Sequence, residues 1–596
     1  MKHKGDFTAD FRLLWISTLA VVIGTLCSFV AVGLMWLISF FTNLFYFQKF
    51  SIANASPAEH HLGAWAILMP VLGGLIIGLM ARYGSERIRG HGIPEALEAI
   101  LIGRSRMQPK LAVLKPLSSA ISIGTGGPFG AEGPIIMTGG AFGSIIAQAF
   151  HMTAVERKTL LVAGAAGGMS ATFSTPVAAV LLAVELLLFE LKPRSLIPVA
   201  LAGAVAGLLR PYLVGGGPIF PVSPHTQLPV EALLSAVAAG LLAGLLSMFL
   251  TRAVYAAEDL FQKVPTHWMW WPAMGGLAVG LGGYFQPHAL GVGYDNIEHM
   301  LQGDYVPQIL IGLVVVKALI WATALGSGTS GGVLAPLLII GGGLGALEST
   351  FLPGGDKALW PLVSMAAVLG GTMRSPLTGI VFALELTHDI HALPALLIAA
   401  VIAHAFTVLF MKRSILTEKV ARRGFHVSRE YSVDPLEKIS VGDVMSANVV
   451  TIPAGATIKT LMEEYFFSER SPKHQSYPVL DKDGRLLGLV ARSNMLKQWI
   501  TAMSDGKAER PEHAEPIVAY DLIEREPITA YPWESCRVAA ERMAQARVGR
   551  LPVVSPDDPH KLVGIITRSD LLKPHAVNAE EEGKRERFFS AESWAI

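Results

Sequence analysis

A run of 29 uncharged residues from Leu13 to Phe41 commits the start of this chain to a lipid bilayer. About 20 apolar residues suffice to cross roughly 30 Å of hydrocarbon, so the run predicts a long, tilted membrane helix. A secretory signal would instead have an apolar core of about 7–15 residues and a small-residue cleavage site, neither of which is present. Further apolar stretches lie at about 62–81, 111–150, 158–189, 196–214, 230–250, 268–284, 306–326, 332–350, 359–387 and 392–411. Those too long for one span are interrupted by Gly or Pro and predict two helices each, some crossing only partway. Only 16% of the residues are charged, against about 25% in soluble domains. The 48 Lys and Arg nearly balance the 47 Asp and Glu, which gives no basis for a nucleic-acid partner. Two cysteines, Cys27 and Cys536, rule out a disulfide framework.

Charge returns abruptly after Phe410. Lys412, Arg413, Lys419, Arg422 and Arg423 form a basic juxtamembrane run, as do Arg82, Arg87, Arg89, Arg104, Arg106 and Lys110. Basic loops stay on the cytoplasmic side, so both segments, and the C-terminal region with them, are expected there.

The membrane part repeats itself. Ser174-Thr175-Pro176 through Glu185-Leu186 lies over Arg374-Ser375-Pro376 through Glu385-Leu386, with Pro on Pro and Glu on Glu at an offset of 200. Gly130-Ala131-Glu132-Gly133-Pro134 lies opposite Gly332-Val333-Leu334-Ala335-Pro336 at an offset of 202. Two related halves, roughly 13–215 and 230–411, are the pattern of transporters built from inverted repeats, in which broken helices from both halves meet near the midplane.

Three helix starts suggest what such a centre holds. Gly90-His91-Gly92-Ile93-Pro94, the Gly130–Pro134 run and the Gly332–Pro336 run each set Gly before a Pro that opens an apolar helix. Pro suits the first helical turn and Gly lets a ligand approach the backbone. Unpaired N–H groups and the positive end of the helix dipole then attract an anion. A partial charge also lets the anion leave again, where a buried Lys or Arg could trap it.

These residues resemble the CLC family of chloride channels and chloride/proton antiporters, over about residues 12–425. The Pro-Leu-Thr-Gly-Ile-Val-Phe-Ala-Leu-Glu-Leu-Thr run from 376 to 387 adds to the match. The resemblance implies a polytopic α-helical membrane protein with an inverted repeat, a homodimer with one anion pathway per subunit, and Glu132 as the gating glutamate. A carboxylate at a helix centre in the membrane costs on the order of 2.5–3.5 kcal/mol, and a helix N-terminus returns about 0.3–2 kcal/mol. A chloride or a proton could displace such a group; a static N-terminal cap is the other reading. Glu185 and Glu385, late in equivalent helices, belong either to a proton path or to the architecture, accepting backbone N–H groups of a neighbouring segment. Lys115 and Arg374 are expected to supply positive potential or cap carbonyls.

Several positions depart from the family pattern. Leu186 stands where antiporters usually carry a second acid as internal proton relay. Leu416 stands where many members place a tyrosine hydroxyl on the central anion. His91 replaces a serine and Leu334 a phenylalanine. His91 could offer an N–H to an anion or sit in a loop facing cytoplasmic water. The departures favour passive or weakly proton-coupled chloride transport over strict antiport.

From about 438 to 576 a second repeat appears. Tyr477-Pro478-Val479-Leu480 matches Leu551-Pro552-Val553-Val554 at an offset of 74, and the Gly488–Asn494 run matches Gly564–Asp570 at an offset of 76. Each unit pairs two β-rich runs and then starts a helix. The pattern resembles tandem cystathionine-β-synthase (CBS) domains, an α/β module whose cleft often binds adenine nucleotides. That resemblance makes Thr567 and Asp570 candidate phosphate and ribose contacts; both Asp570 and Asn494 also suit helix N-caps.

The expected organisation is a cytoplasmic N-terminal segment 1–12, a membrane domain 13–411, a basic linker 412–437, CBS domains at 438–500 and 515–576, and a charged tail 577–596. The expected partners are chloride, protons and membrane lipid, in a bacterial inner membrane. Among other classes, a divalent-cation transporter would need clustered carboxylates, and an enzyme would need a nucleophile–base pair or metal ligands. The apolar segments contain neither, and no catalytic residue, metal site or required cofactor is expected.

Overall fold

The computed structural model describes residues 11–223, 225, 227–304, 306–424, 435–467, 474–504 and 517–574. The tail 577–596, nearly all of the N-terminal segment 1–12 and the middle of the linker therefore lie outside the described residues. The described chain divides into two compact units, within Met1–Ser432 and Val433–Gly583.

The first unit is a helical membrane domain. Its first half comprises α1 (Arg12–Phe47), α2 (Leu68–Tyr83), α3 (Ile93–Leu101), α4 (Leu111–Gly124), α5 (Glu132–Ala149), α6 (Ala154–Phe173), α7 (Pro176–Leu182, continued by a wider turn to Leu188) and α8 (Pro193–Leu213). The second comprises α9 (Val230–Gln262), α10 (Trp271–Phe285), α11 (Tyr294–Gln302), α12 (Pro307–Gly326), α13 (Leu334–Glu348), α14 (Leu359–Met373), α15 (Pro376–Thr387) and α16 (Leu393–Phe410), followed by the short amphipathic α17 (Ile415–Arg422). Among the described residues, six helical segments are long and apolar enough to cross a bilayer, and several shorter apolar helices accompany them. Each overlong apolar stretch is divided as its Gly and Pro residues predict: 111–150 into α4 and α5, 158–189 into α6 and α7, 359–387 into α14 and α15. The first helix runs past Phe41 to Phe47, because Thr42 and Asn43 hydrogen-bond back to the preceding turn and keep it helical.

Reciprocal contacts relate the two halves. The Glu385 carboxylate, near the end of α15, accepts the N–H groups of Val177 and Ala178 at the start of α7, at 2.9 and 2.8 Å. The Glu185 carboxylate accepts from Leu377 and Thr378 at the start of α15, at 3.3 and 2.9 Å, and from the Thr378 hydroxyl at 2.6 Å. Two helices that each cap the other's beginning must run antiparallel, as an inverted repeat requires.

A second matched pair lies deeper. The Lys115 ammonium donates to the carbonyls of Ile88 and Gly90 at 2.9 and 2.8 Å. Lys317, 202 residues later, donates to Ala289 and Gly291 at 3.0 and 2.8 Å. Both lysines are fully buried.

The second unit consists of two small α/β halves. In the first, β1 (Ile452–Pro453) pairs parallel with β2 (Ser476–Leu480), which pairs antiparallel with β3 (Leu486–Ala491). In the second, β4 (Arg550–Val554) pairs antiparallel with β5 (Leu562–Thr567). Each half has its own apolar core, one around Ile452, Tyr477 and Val490, the other around Val441, Leu551 and Ile566.

Between the halves of the membrane unit, His225 is buried against two acids. Its Nδ1 meets the Asp389 carboxylate and its Nε2 lies 2.9 Å from Asp356. Burial alone would lower the imidazole pKa; the hydrogen bonds and charges of Asp389 and Asp356 outweigh it, and the pKa is raised. Burial pushes Asp356 up and His225 pulls it further down, below its ordinary value. A raised histidine stabilises fully below its unfolded pKa of about 6.5 and loses that contribution as pH climbs through the folded value. Asp356 keeps its share until pH falls through its own lowered pKa. His225→Gln should therefore lower the thermal midpoint in detergent more at pH 6 than at pH 9. Equal losses at the two pH values would mean that the cluster carries no charge-dependent stability.

Candidate functional site

The three helix starts singled out in the sequence meet at the centre of the membrane unit. Gly92 precedes α3, Ala131 precedes α5 and Val333 precedes α13. Their leading strands are stitched together: Gly130 and Gly332 exchange backbone hydrogen bonds at 3.4 and 2.9 Å, and Gly331 N–H donates to Gly90 at 3.3 Å. Ser330 joins the same knot, receiving the Lys115 ammonium at 3.0 Å and bonding the Ser118 and Ser119 hydroxyls at 3.0 and 2.9 Å.

Side chains at the glycines would break this approach. A Cβ on Gly133 would lie 1.9 Å from the His91 carbonyl, and one on Gly92, whose φ is +89°, would meet the Gly133 carbonyl at 2.5 Å. The spacing thus brings helix ends within contact distance, where the first N–H groups of a helix have no partners within the helix itself.

Glu132 is the first residue of α5 and is fully buried. Its Oε1 accepts the Tyr294 hydroxyl at 3.2 Å, and its Oε2 is buried with no hydrogen-bond partner. That oxygen lies over Gly130 and Gly332: a Cβ would come within 1.7 Å of it on the first and 2.8 Å on the second. The carboxylate fills the gap between the α5 and α13 starts.

The remaining members of the three motifs, Ile93, Pro94, Ala131, Pro134, Val333, Leu334, Ala335 and Pro336, are buried around the same point. His91 is also buried, at 2% exposure, and its Nδ1 has no partner. The water-facing alternative for His91 is therefore corrected: the packing of α3 on α5 draws the loop inward. Leu416 is fully buried in the first turn of α17, beside Ile415, whose carbonyl accepts the Tyr255 hydroxyl. Lys419, one turn on, pairs with the buried Glu95 of α3 at 2.8 Å. Glu185 and Glu385 lie at the α7–α15 contact, each engaged with backbone N–H groups as described above.

Cavities approach the knot from both sides. α1 runs away from the chain's beginning and α2 returns, so Arg87 and Arg89 lie on the side where α1 starts. There a cavity of about 600 Å³ is lined by Arg87, Arg89, Glu95, Lys419 and Arg422. On the side where α1 ends, a cavity of about 560 Å³ is lined by Thr42, Phe173, Arg210, Gly293 and Tyr294. Ala131 and Tyr294, on either side of Glu132, line the second cavity, and Met137, further along α5, lines the first.

Sequence reasoning missed a fourth helix start. Gly291-Val292-Gly293-Tyr294 opens α11 and lies 201 residues after Gly90-His91-Gly92-Ile93. Its two glycines lie 201 residues and Lys317 lies 202 residues after their first-half counterparts, but Asp295 stands where Pro94 does, so the start lacks the Gly-before-Pro signature. Tyr294 was missed with it.

A family model described as voltage gated chloride channel matches residues 73–408, and one described as CBS domain matches 441–500 and 518–574. The voltage-gated ClC-type chloride channel ClcB of Escherichia coli strain SMS-3-5 is 31% identical over 431 residues, 69% of this chain and 99% of the relative. The chain belongs to the CLC family of voltage-gated chloride channels. Among solved structures, a slow cyanobacterial Cl⁻/H⁺ antiporter shares the fold with a TM-score of 0.62 at 20% identity, covering 68% of this chain and 97% of its own. A eukaryotic CLC transporter covers 94% of this chain and 98% of its own, with a TM-score of 0.59 at 18% identity. This CLC protein is accordingly a multi-pass membrane protein with a C-terminal pair of CBS domains.

In the CBS unit of this CLC chain, the Asp570 carboxylate is occupied from within. It accepts the Thr567 N–H and hydroxyl at 2.8 and 2.7 Å and pairs with Lys573 at 2.6 Å. Burial pushes its pKa up, but Lys573 and Thr567 hold it below the ordinary carboxylate value. Asn494 is the third residue of the helix Arg492–Ser504 rather than its cap. A cavity of about 370 Å³ in this unit lies on the Asn494 side, lined by Ala491, Asn494, Arg525, Arg547 and Arg550.

Removing either inter-helix carboxylate tests its role. Glu185→Ala or Glu385→Ala leaves two helix-start N–H groups unpaired, at a cost of about 1–3 kcal/mol each. Both should lower the thermal midpoint in detergent while leaving anion flux per folded molecule within about twofold, roughly 0.4 kcal/mol. Loss of flux with an unchanged midpoint would put these acids on the transport path instead.

Proposed function

We propose that this chain carries chloride, or a small monovalent anion of the same class, through a pathway gated by Glu132, with passive or weakly proton-coupled transport. The observation that carries the reading is the Glu132 carboxylate, lodged between two helix N-termini, bonded to the cavity-lining Tyr294 and with one oxygen unpartnered. A carboxylate in that position imitates a bound anion, and an anion of similar charge competes for the same N–H groups. Protonation removes the charge that holds it there, freeing the gap.

Leu186 supports weak coupling, because it is fully buried beside Glu185 and cannot relay a proton. Leu416 and Leu334 likewise bring no hydroxyl or other donor to the centre, which leaves the backbone N–H groups as the principal anion ligands. Strict chloride/proton antiport is the second reading, favoured by the fold shared with a protein named as a Cl⁻/H⁺ antiporter.

Glu132 and both cavities belong to one chain, which supports an independent pathway in each subunit of a homodimer. The basic segments around Arg87 and Lys419 support a cytoplasmic side for the cavity they line and for the CBS unit. The relatives from Escherichia coli support a bacterial inner membrane. An adenine nucleotide is the proposed regulatory ligand of the CBS unit, with Arg525, Arg547 and Arg550 offering charge to its phosphates. Thr567 and Asp570, the contacts expected from the sequence, are the alternative place for that nucleotide, which would there have to displace Lys573.

Chloride efflux and proton movement recorded together from liposomes, with and without a potassium ionophore, test the transport reading. Wild type should release chloride only when the ionophore shunts the voltage, with little uphill proton movement. Glu132→Gln should flatten the pH dependence of the flux, because the amide has no proton to exchange and no charge to lose. Uphill proton transport at a fixed ratio to chloride in wild type would establish the antiport reading. Separately, Arg547→Ala in the full chain should weaken ATP binding by about tenfold, the loss of one charge-assisted hydrogen bond, measured by calorimetry.

A further inference from the structure

The cavity on the far side of Glu132 contains a cation that the transport reading has not used. Arg210 lies in the last turn of α8 and is 9% exposed. Its Nη1 donates to the Gly215 carbonyl at 3.0 Å, which answers the end of the helix. Its Nε is buried and has no hydrogen-bond partner. No carboxylate pairs with Arg210 among the described residues. A buried guanidinium without a counter-charge is costly unless an anion completes it.

The rest of the cavity is suited to supplying one. Gly291, Val292, Gly293 and Tyr294 line the same space as Arg210, so the start of α11 opens onto it. The first N–H groups of α11 have no partners within the helix, and its dipole adds positive potential there. Lys317 takes up the carbonyls of Ala289 and Gly291, turning the acceptors of this loop away from any ligand. The one acid lining the cavity, Asp295, is exposed at its margin. Tyr294 connects the cavity to the gate through its hydroxyl bond to Glu132.

We propose that Arg210 and the start of α11 form an outer binding site for a small monovalent anion, one step beyond Glu132 on the pathway. The inference rests on the transport reading and deepens it, adding a loading site that the three Gly–Pro motifs do not contain. The site is entered from the side where α1 ends. An anion held there stands beside Tyr294, ready to occupy the gap when the Glu132 carboxylate leaves it. Because α8 and α11 come from different halves of the repeat, both halves build the site.

Two measurements test it. Crystals of the wild-type full chain soaked in bromide should show an anomalous peak in hydrogen-bond range of the Arg210 guanidinium. In liposomes, Arg210→Gln should raise the half-saturating chloride concentration of uptake by about tenfold, the loss of one charge-assisted contact, with maximal rate changed less than about twofold. Arg210→Lys, which keeps the charge, should shift it less. No bromide at Arg210 overturns the proposal and requires no variant to fold. A bromide peak with an unshifted half-saturation in Arg210→Gln would mean an adventitious ion only, and overturns it as well. Wild-type liposomes that carry no chloride at all would instead sink the transport reading, a result distinct from either of these.

Discussion

Two buried ammonium groups make the centre of this membrane domain possible. Non-helical backbone at membrane depth survives only where protein satisfies its polar groups. The strands before α3 and α11 cross that region, and their carbonyls would be exposed to apolar surroundings without Lys115 and Lys317. Lys317 spends its donors on carbonyls and Lys115 on two carbonyls and the Ser330 hydroxyl, so their charge answers acceptors and leaves the opposite N–H ends of the helices available. That division lets four helices begin in the middle of a bilayer. The same lysines explain why no full positive charge needs to stand in the central gap: the potential comes from behind the loops, spread over dipoles.

The Glu132 carboxylate makes sense only against that background. It is buried, carries an unpartnered oxygen and touches the α5 and α13 starts. Under the proposed reading, an anion competes with that carboxylate for the same helix-start N–H groups. Tyr294 adds one directional hydrogen bond to that balance. The peripheral acids Glu185 and Glu385 differ in kind. Each is satisfied by two backbone donors of the opposite helix, and their reciprocity ties the two repeats together at the α7–α15 contact.

Much of this is legible in the sequence. The breaks in the long apolar stretches, the repeat offset and the three Gly–Pro starts are local in sequence, because helix initiation depends on a few adjacent residues. The structure brings those starts to one point, which no local rule could state. The fourth start lacked Pro and escaped the pattern, although Gly291, Gly293 and Lys317 lie within a residue of the repeat offset from their counterparts in the first half. Tyr294, Arg210 and the burial of His91 were illegible for a different reason: each depends on what packs against it from elements far away in the chain. In the CBS unit, Asp570 reads equally as a ligand contact or an internal cap, and only its neighbours Thr567 and Lys573 reveal how its oxygens are engaged.

The leucines at 186, 334 and 416 bear on selectivity as well as on coupling. A central site with side-chain hydroxyls can discriminate among anions by the directions in which those donors point. Under the proposed reading, the donors here are mainly backbone N–H groups fixed by helix geometry, and they cannot reorient around a smaller or larger ion. Discrimination then falls chiefly to the cost of stripping water from the anion, which grows as the anion becomes smaller and its charge denser. A pathway of this kind should favour the larger, more weakly hydrated halides over fluoride. Bromide flux at least equal to chloride flux, with fluoride far behind, is the order this reasoning requires, and the reverse order would mean that a side-chain donor still faces the central ion.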